Sequence, residues 1–270
     1  MVNRAKKAKI NKVSNDGQTE TTQSGFGYRK TAPETRTKLV REVFESVAPK
    51  YDIMNDVMSL GIHRLWKRDF VNDVQPKAHE AIMDLAGGTG DIAFLMQRAR
   101  SRHSQPTSKI TICDINPAML NVGKQRAMDR GLHGTFNWVE GNAEALPFDD
   151  NSFDVVTIAF GLRNVTRLSK ALADILRVLK PGGRFYCLEF SHIPVPLLQK
   201  AYDRYSFGFL PWAGEKIAGD RAAYQYLAES IRAFPDQQAL VKLMQNAGFS
   251  AATYRNLSLG IAAIHSGFKR

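Results

Sequence analysis

Two acidic residues and a glycine-rich loop are spaced as they would be in a site for a nucleotide-like cofactor. The loop contains Asp84, Gly88, Thr89 and Gly90, and Asp114 follows 24 residues after its last glycine. Glycines let the backbone approach a ligand closely, and a helix that begins directly after them offers unpaired N–H groups. A carboxylate at the position of Asp114 can accept hydrogen bonds from both hydroxyls of a ribose. These residues alone fit NAD and S-adenosylmethionine equally well.

A third loop and a later turn separate the two cofactors. The side chain of Asn142 can read the edge of an adenine, and the backbone N–H of Ala143 can do the same. The turn Leu179-Lys-Pro-Gly-Gly183 follows a predicted helix. This order of features is typical of enzymes that use S-adenosylmethionine, with a nicotinamide enzyme as the alternative. The lysine of a phosphate-binding Walker loop is missing, which argues against nucleoside triphosphate chemistry.

A sheet of parallel strands must position these loops. Short apolar runs typical of buried strands alternate with amphipathic segments typical of helices. The predicted strands cover residues 81–86, 110–115, 136–141, 154–160 and 184–190, and the helices between them cover 91–102, 117–130 and 168–179. Further helices are predicted at 33–47, 61–74 and 236–247, and the runs 251–257 and 260–268 are predicted to pair as a hairpin. Ligands of such sheets bind at the carboxyl ends of the strands, so the three loops should meet there.

Composition and charge exclude several classes of protein. The 270 residues are 44% hydrophobic, which is ordinary for a globular protein, and no apolar run approaches the roughly 18 residues of a membrane span. Cys113 and Cys187 are too few for a disulfide framework or a zinc site, and the histidines lack metal-ligand spacing, so no metal is expected. We therefore expect a cytoplasmic protein.

The N-terminal stretch carries much of the net charge of +11. Residues 1–30 contain seven basic and two acidic side chains and few apolar ones, which predicts a disordered basic tail. Such a tail is attracted to anionic lipid or nucleic acid, or it has no specific role.

Segments outside the cofactor loops resemble one family. These segments are residues 43–56, 63–67, 161–165, 188–191, 202–206 and 226–235. Together with the loops, they resemble the ubiquinone/menaquinone biosynthesis C-methyltransferase family over residues 26–270. The resemblance implies an α/β fold of the class I S-adenosylmethionine-dependent type, a Rossmann-like, mostly parallel seven-stranded sheet with helices on both faces. It also implies methylation of a ring carbon of a polyprenylated benzoquinol or of demethylmenaquinol, with S-adenosylmethionine as the cofactor.

The resemblance also implies roles for individual residues and partners. It places Thr89, Asp114, Asn142 and Ala143 in contact with the cofactor, and it places Tyr51 on an N-terminal segment that covers the site. The expected partners are the quinol, other quinone-biosynthesis proteins and a second copy of the chain in a homodimer, but no nucleic acid. Peripheral attachment to the inner face of a membrane is expected from the basic tail and from the apolar segment at 193–212.

The catalytic residues are predicted from the loop that the cofactor leaves unused. The cofactor occupies the loops after the first three strands, so the loop that contains Arg163 and Asn164 is nearest to the transferred methyl group. Arg163 could stabilise a phenolate, and Asn164 could orient the quinol or a water molecule. With Tyr51, these are the candidate catalytic residues. Alternatively, Arg163 and Asn164 only cap the helix that follows.

The predicted organisation is one domain after the tail. Residues 31–270 form the methyltransferase domain, which divides into a helical cover at 31–75, a cofactor-binding core at 76–192, a helical insertion on the substrate side at 193–235, and a terminal helix and hairpin at 236–270. Two other functions remain open from the sequence. One is methylation of nucleic acid, and the other is a non-catalytic role in a quinone-synthesis assembly.

Overall fold

The computed structural model describes residues 61–101, 108–209 and 221–270, the short stretches 24–26 and 29–31, and the single positions 35, 40, 56, 59, 212, 215 and 216. Tyr51, most of the helix predicted at 33–47 and residues 1–23 lie outside the described residues. A short antiparallel pair, β1 (Ser24–Phe26) with β2 (Arg29–Thr31), lies inside the stretch predicted as a disordered tail, so the predicted boundary at residue 30 falls within this pair.

A seven-stranded sheet forms the centre of the described chain. Its strands are β3 (Ile82–Leu85), β4 (Ile110–Asp114), β5 (Phe136–Glu140), β6 (Phe153–Ala159), β7 (Leu179–Phe190), β8 (Ser250–Leu257) and β9 (Ala262–Phe268). The strand order is β5-β4-β3-β6-β7-β9-β8, and the first five strands are parallel. From β3 the chain continues to β4 and β5 on one side, and it then crosses to β6 on the other side of β3. The switch point therefore lies between β3 and β6, which is where sheets of this kind bind ligands.

Helices cover both faces of the sheet. They are α1 (His63–Val74), α2 (Asp91–Arg100), α3 (Pro117–Asp129), α4 (Leu168–Val178), α5 (Pro196–Arg204), α6 (Arg221–Ala233) and α7 (Gln237–Asn246). Neighbouring strand residues point to opposite faces, so Ile82 joins the core under α1, α2, α3 and α6, and Met83 joins the core under α4 and α7. Both residues are fully buried. The prediction of a mostly parallel sheet between two helical layers is confirmed.

The antiparallel edge of the sheet comes from the C-terminal part of the chain. β8 and β9 pair as the predicted hairpin, and β9 also pairs antiparallel with β7. Residues 179–183, predicted as a turn, are included in β7, but the pairing with β6 is interrupted there: Val155 next pairs with Arg184, and Gly182 has the positive φ of +78° that is typical of a turn. Leu179 pairs with Phe153, and the N–H of Gly182 donates to the carbonyl of Lys269. None of the helices in the described part of the chain is long and apolar enough to cross a membrane.

Candidate functional site

A pocket opens at the carboxyl ends of β3, β4, β5 and β6. Its walls include seven of the residues predicted from the sequence, namely Asp84, Gly88, Thr89, Asp114, Asn142, Ala143 and Asn164. Two other predicted residues, Gly90 and Arg163, are not among its lining residues. The loops after the parallel strands therefore meet at one edge of the sheet, as the sequence predicts.

Gly90 shapes the glycine loop and does not line the pocket. It precedes α2 with a backbone φ of +84°, which disfavours residues with a side chain. A Cβ atom at this position would lie 3.0 Å from the ring of Phe94. Gly90 thus turns the chain into α2 so that the N-terminus of this helix lies beside the pocket.

Asp114 is fixed by the backbone at the end of β4. Its Oδ2 accepts a hydrogen bond of 2.9 Å from the N–H of Gly88, and its Oδ1 accepts one of 2.8 Å from the N–H of Asn116. Burial raises the pKa of this carboxyl to about 6, against the effect of the backbone hydrogen bonds. Each carboxylate oxygen can accept a second hydrogen bond, so both hydroxyls of a ribose can still be bound.

One carboxylate oxygen of Asp84 has no hydrogen-bond partner among the described residues. Its Oδ1 accepts a hydrogen bond of 2.9 Å from Thr157, whereas its Oδ2 is buried and has no hydrogen-bond partner in the described part of the protein. Burial raises the pKa of Asp84 to about 7. Because a buried carboxylate oxygen without a partner is unfavourable, this position suits a ligand that brings a positive charge or a donor.

The loop after β5 holds the pair predicted to read adenine. The Oδ1 of Asn142 accepts a hydrogen bond of 2.9 Å from the N–H of Glu144, so the loop folds around this side chain. Arg167 pairs with the carboxylate of Glu144 at 2.6 Å and fastens the loop to the start of α4. The Asn142 oxygen can accept one more hydrogen bond, which leaves the predicted contact available.

Arg163 lies in surroundings that the sequence did not reveal. Its Nη1 donates to Oε1 of Glu189 and to the carbonyl of Phe160, both at 2.6 Å, and its backbone N–H donates to Oε2 of Glu189. Both charged side chains are fully buried. The guanidinium therefore fixes the loop through Glu189 and Phe160 and does not line the pocket. Sequence patterns could not identify Glu189 as the partner, because it lies 26 residues away on β7.

Asn164 faces the pocket and has a partner on a distant helix. The hydroxyl of Tyr226, on α6, donates to Oδ1 of Asn164 at 3.0 Å. Tyr226 is buried, and the 62 residues between the two side chains conceal the contact from any local pattern. Since its oxygen is held by Tyr226, the amide N–H₂ group of Asn164 is oriented to donate to a ligand.

A group of ion pairs at the start of α2 was also not predicted from the sequence. Asp91 accepts from Lys67 and from Arg126, with both N to O distances at 2.8 Å. Lys67 and Asp91 line the pocket, and Lys67 is buried. Three helices, α1, α2 and α3, are thereby fastened together beside the glycine loop.

Aromatic side chains close the end of the pocket near Asn164. Phe160 lines the pocket and packs against Phe190 and Trp66, with ring centroids 4.9 Å and 6.5 Å away. The indole N–H of Trp66 donates to Ser258 at 2.9 Å, which fixes this ring. The pocket thus has a polar end at Asp114 and Asn142 and an apolar end at Phe160.

The pocket suits S-adenosylmethionine by its shape and charge. Asp114 provides acceptors for a ribose, and Phe160 provides an apolar wall. Between them, Asp84 has a buried carboxylate oxygen without a hydrogen-bond partner among the described residues. That carboxylate oxygen matches the positive charges that the methionine part of this cofactor carries. The residues present therefore fit the cofactor.

Comparisons with known proteins agree with this assignment. The sequence model of the ubiE/COQ5 methyltransferase family matches residues 30–269. The 2-methoxy-6-polyprenyl-1,4-benzoquinol methylase of Danio rerio is 49% identical over 93% of this chain and 86% of its own length. The ubiquinone/menaquinone biosynthesis C-methyltransferase of Roseobacter denitrificans is 52% identical over 94% of this chain and 99% of its own length.

A solved structure shares the fold. A SAM-dependent methyltransferase from Thermotoga maritima superposes with a TM-score of 0.58, covering 86% of this chain and 100% of that one, at 19% sequence identity. The class I, Rossmann-like fold implied by the resemblance is confirmed, with an antiparallel pair at one edge.

Proposed function

Since the chain belongs to the ubiE/COQ5 methyltransferase family, we propose that it methylates a ring carbon of a polyprenylated quinol and uses S-adenosylmethionine as the methyl donor. The observation that carries this proposal is the family match over nearly the whole chain, with relatives of about half identical sequence that are named as quinol methylases. We propose 2-methoxy-6-polyprenyl-1,4-benzoquinol as the substrate, with demethylmenaquinol as a second substrate. The name of the relative from Roseobacter denitrificans mentions both ubiquinone and menaquinone biosynthesis.

Different residues of the pocket would contact each part of the cofactor. Asp114 would hold the ribose, Asn142 and the backbone of Ala143 would hold the adenine, and Thr89 and Asp84 would face the methionine part. When bound, the cofactor supplies a methyl group on a positively charged sulfur. This arrangement leaves the apolar end of the pocket, around Phe160 and Asn164, for the quinol ring.

The chemistry requires a nucleophilic ring carbon and an exit for one proton. When a hydroxyl of the quinol loses its proton, the ring carbon beside it can form a bond to the methyl group, while the bond between the methyl carbon and sulfur breaks. The ring carbon then releases its own proton to water or a nearby base, and the phenolate oxygen takes up a proton, so that one proton is released in total. Holding the two reactants in line provides much of the acceleration. The N–H₂ group of Asn164, oriented by Tyr226, is placed to donate to the quinol oxygen.

We assign Arg163 a positioning role. Its guanidinium holds Glu189 and the carbonyl of Phe160, so it fixes the loop from which Asn164 and Phe160 reach the pocket. Arg163 is not among the residues that line the pocket, and loss of its buried ion pair with Glu189 would cost about 3–5 kcal/mol.

The reaction itself is tested by incubating the purified chain with S-adenosylmethionine and a short-tailed 2-methoxy-6-prenyl-benzoquinol kept reduced. Mass spectrometry should show a product heavier by one methyl group in place of hydrogen. The oxidised quinone is the matched control and should give no product. Absence of product from both this quinol and a short-tailed demethylmenaquinol would refute the proposal.

Single-turnover measurements of methyl transfer distinguish the roles of Asn164 and Arg163. Asn164→Ala should lower the rate about 100-fold with little change in cofactor affinity, because it removes one oriented donor. Arg163→Lys should remain within about tenfold of the wild type, because an ammonium group keeps the positive charge beside Glu189 and so avoids an unpaired buried carboxylate. The exposed Asn137, outside the pocket, provides the control Asn137→Ala. A loss of about 100-fold in Arg163→Lys would instead indicate direct contact between the guanidinium and the quinol.

Peripheral contact with a membrane surface is part of the proposal, since a polyprenylated substrate is dissolved in lipid. Several large apolar side chains are exposed, at Val195, Leu197, Leu198, Phe207, Trp212 and Leu259, and all but Leu259 lie in the segment predicted as the substrate-side insertion. We propose that these residues face the bilayer. Homodimerisation and contact with other quinone-biosynthesis proteins remain predictions, which light scattering and co-purification would test.

A further inference from the structure

A second cavity lies beside the cofactor pocket and is strongly basic. The two cavities share Lys67 and Asp91 in their walls. Six positively charged side chains line the second cavity, and we call them the basic cluster: Arg64, Lys67, Arg68, Arg98, Arg126 and Arg130. Asp91 is the one carboxylate among the lining residues of this cavity in the described part of the chain.

The basic cluster is assembled from separate helices. Arg64, Lys67 and Arg68 lie on α1, Arg98 lies on α2, and the others lie at the C-terminal end of α3. Since the sequence spacing between these groups is large, the fold itself concentrates their charge in one cavity. A cleft lined mainly by one sign of charge attracts counter-ions, so this arrangement favours an anion in the cavity.

The ion pairs within the described residues neutralise only part of this charge. Asp91 is shared between Lys67 and Arg126, and Arg64 holds Asp56 through two hydrogen bonds of 3.1 Å and 2.6 Å. Arg68 and Arg98 are exposed and form no ion pair with any residue that the structure describes. These two guanidinium groups are therefore available to an external anion.

The chemistry of the cluster favours a phosphate group. Five of its six cations are arginines, whose planar guanidinium groups can form paired hydrogen bonds to phosphate oxygens. Arg130 is stacked over the ring of Phe94, with its central carbon 4.7 Å from the ring centroid, which holds that guanidinium in place.

Apolar side chains beside the cations indicate where the phosphate comes from. Phe94, Leu95 and Leu132 line the cavity, and Leu65 is 56% exposed on α1 between Arg64 and Arg68 in sequence. Exposed apolar groups among basic residues are typical of elements that rest at the boundary between lipid headgroups and acyl chains. A dissolved phosphate ion would leave Leu65 in water.

We propose that the basic cluster binds the phosphate of an anionic phospholipid headgroup. This choice of phosphate source rests on the proposed function, because the quinol substrate is dissolved in the same bilayer. Since the cavity shares Lys67 and Asp91 with the cofactor pocket, a headgroup bound there would hold the membrane surface beside that pocket.

The test uses the full chain and the double variant Arg68→Gln/Arg98→Gln, which removes the two exposed cations and leaves Lys67 and Asp91 intact. Binding is measured by cosedimentation with phosphatidylcholine vesicles, with and without phosphatidylglycerol. The wild type should prefer the phosphatidylglycerol vesicles, and the double variant should bind them about 10- to 30-fold more weakly, as expected for two basic residues at an anionic surface. The matched control, Lys242→Gln/Arg270→Gln, removes the same charge from exposed positions outside the cavity and should bind like the wild type.

Three outcomes would overturn the proposal. Equal binding of the wild type and the double variant to phosphatidylglycerol vesicles would show that the cluster does not contact lipid. Calorimetry that detects pyrophosphate binding to the cluster, without any contribution of the cluster to vesicle binding, would identify a dissolved anion as the ligand. Loss of RNA binding alone in the double variant would indicate a nucleic acid.

Activity distinguishes this proposal from the function on which it rests. Turnover of a short-tailed, water-dispersed quinol should be equal in the wild type and the double variant. If the wild type methylates no quinol but its vesicle binding still depends on Arg68 and Arg98, the proposed function fails and the lipid site stands.

Discussion

At the scale of single residues, cofactor affinity should depend directly on Asp114. Asp114→Ala is expected to weaken S-adenosylmethionine binding by about 1–3 kcal/mol, because two hydrogen bonds from the ribose to a carboxylate are lost. Isothermal titration calorimetry gives the affinity. The exposed Asp149 is outside the pocket, so Asp149→Ala should bind the cofactor normally. An unchanged affinity in Asp114→Ala would remove this residue from the cofactor site.

The raised pKa values of the two buried carboxyls give a pH dependence with a definite sign. Burial raises the pKa of Asp84 to about 7 and that of Asp114 to about 6, so both carboxyls bind protons at mildly acidic pH. A positively charged ligand prefers the ionised forms and lowers both pKa values. The affinity for S-adenosylmethionine should therefore rise from about pH 5 to about pH 7.5, by roughly tenfold for each unit that binding lowers a pKa.

Calorimetry across this pH range tests the sign. Asp84→Asn cannot ionise and should flatten the upper part of the profile, whereas Asp149→Asn should reproduce the wild-type curve. A wild-type affinity that stays constant or falls with increasing pH would contradict the charge interaction inferred for Asp84.

At the scale of elements, the distance between α3 and the glycine loop is set by Gly123. A Cβ atom at this position would lie 2.5 Å from the ring of Trp138 on β5 and 3.0 Å from the carbonyl of Gly88. Gly123→Ala should destabilise the protein by about 1–3 kcal/mol through overpacking, and it should also weaken cofactor binding because the loop must move. Denaturant unfolding and calorimetry measure the two effects.

Gly208 provides the matched control for that substitution. A Cβ atom at Gly208 would have no neighbour within 4 Å, so Gly208→Ala should change neither stability nor affinity appreciably. If Gly123→Ala were as stable as Gly208→Ala, the packing of α3 would be looser than the structure shows.

Elements that depend on local pattern could be predicted from the sequence, and contacts between distant segments could not. Asp84, Asp114 and Asn142 could be placed together because each follows a buried apolar run, and the carboxyl ends of parallel strands share one edge. The contacts of Arg163 with Glu189 and of Asn164 with Tyr226 join segments that only the folded chain brings together. Lys180, Pro181 and Gly182 are turn residues, and the chain does turn locally at Gly182. The sequence could not show that the N–H of Gly182 donates to the carbonyl of Lys269, which joins this turn to the end of β9.

At the scale of the whole molecule, charge should affect how the protein meets a membrane. Deletion of residues 1–23, which ends just before β1, removes five basic and two acidic residues. This deletion should reduce cosedimentation with anionic vesicles at low salt and leave turnover of a short-tailed quinol unchanged. Equal vesicle binding by the shortened and full-length chains would assign no membrane role to this stretch.

The position of β9 has a consequence for synthesis on the ribosome. β9 is the last strand in the sequence, yet it lies between β7 and β8 and pairs with both. While the chain is still being translated, β7 has an unpaired edge and β8 has no neighbour until residues 262–268 emerge from the exit tunnel. A nascent chain therefore cannot finish its sheet before residues 262–268 have emerged, and a chain that stops between β8 and Ala262 would keep open strand edges, at which strands of other chains can pair and aggregate.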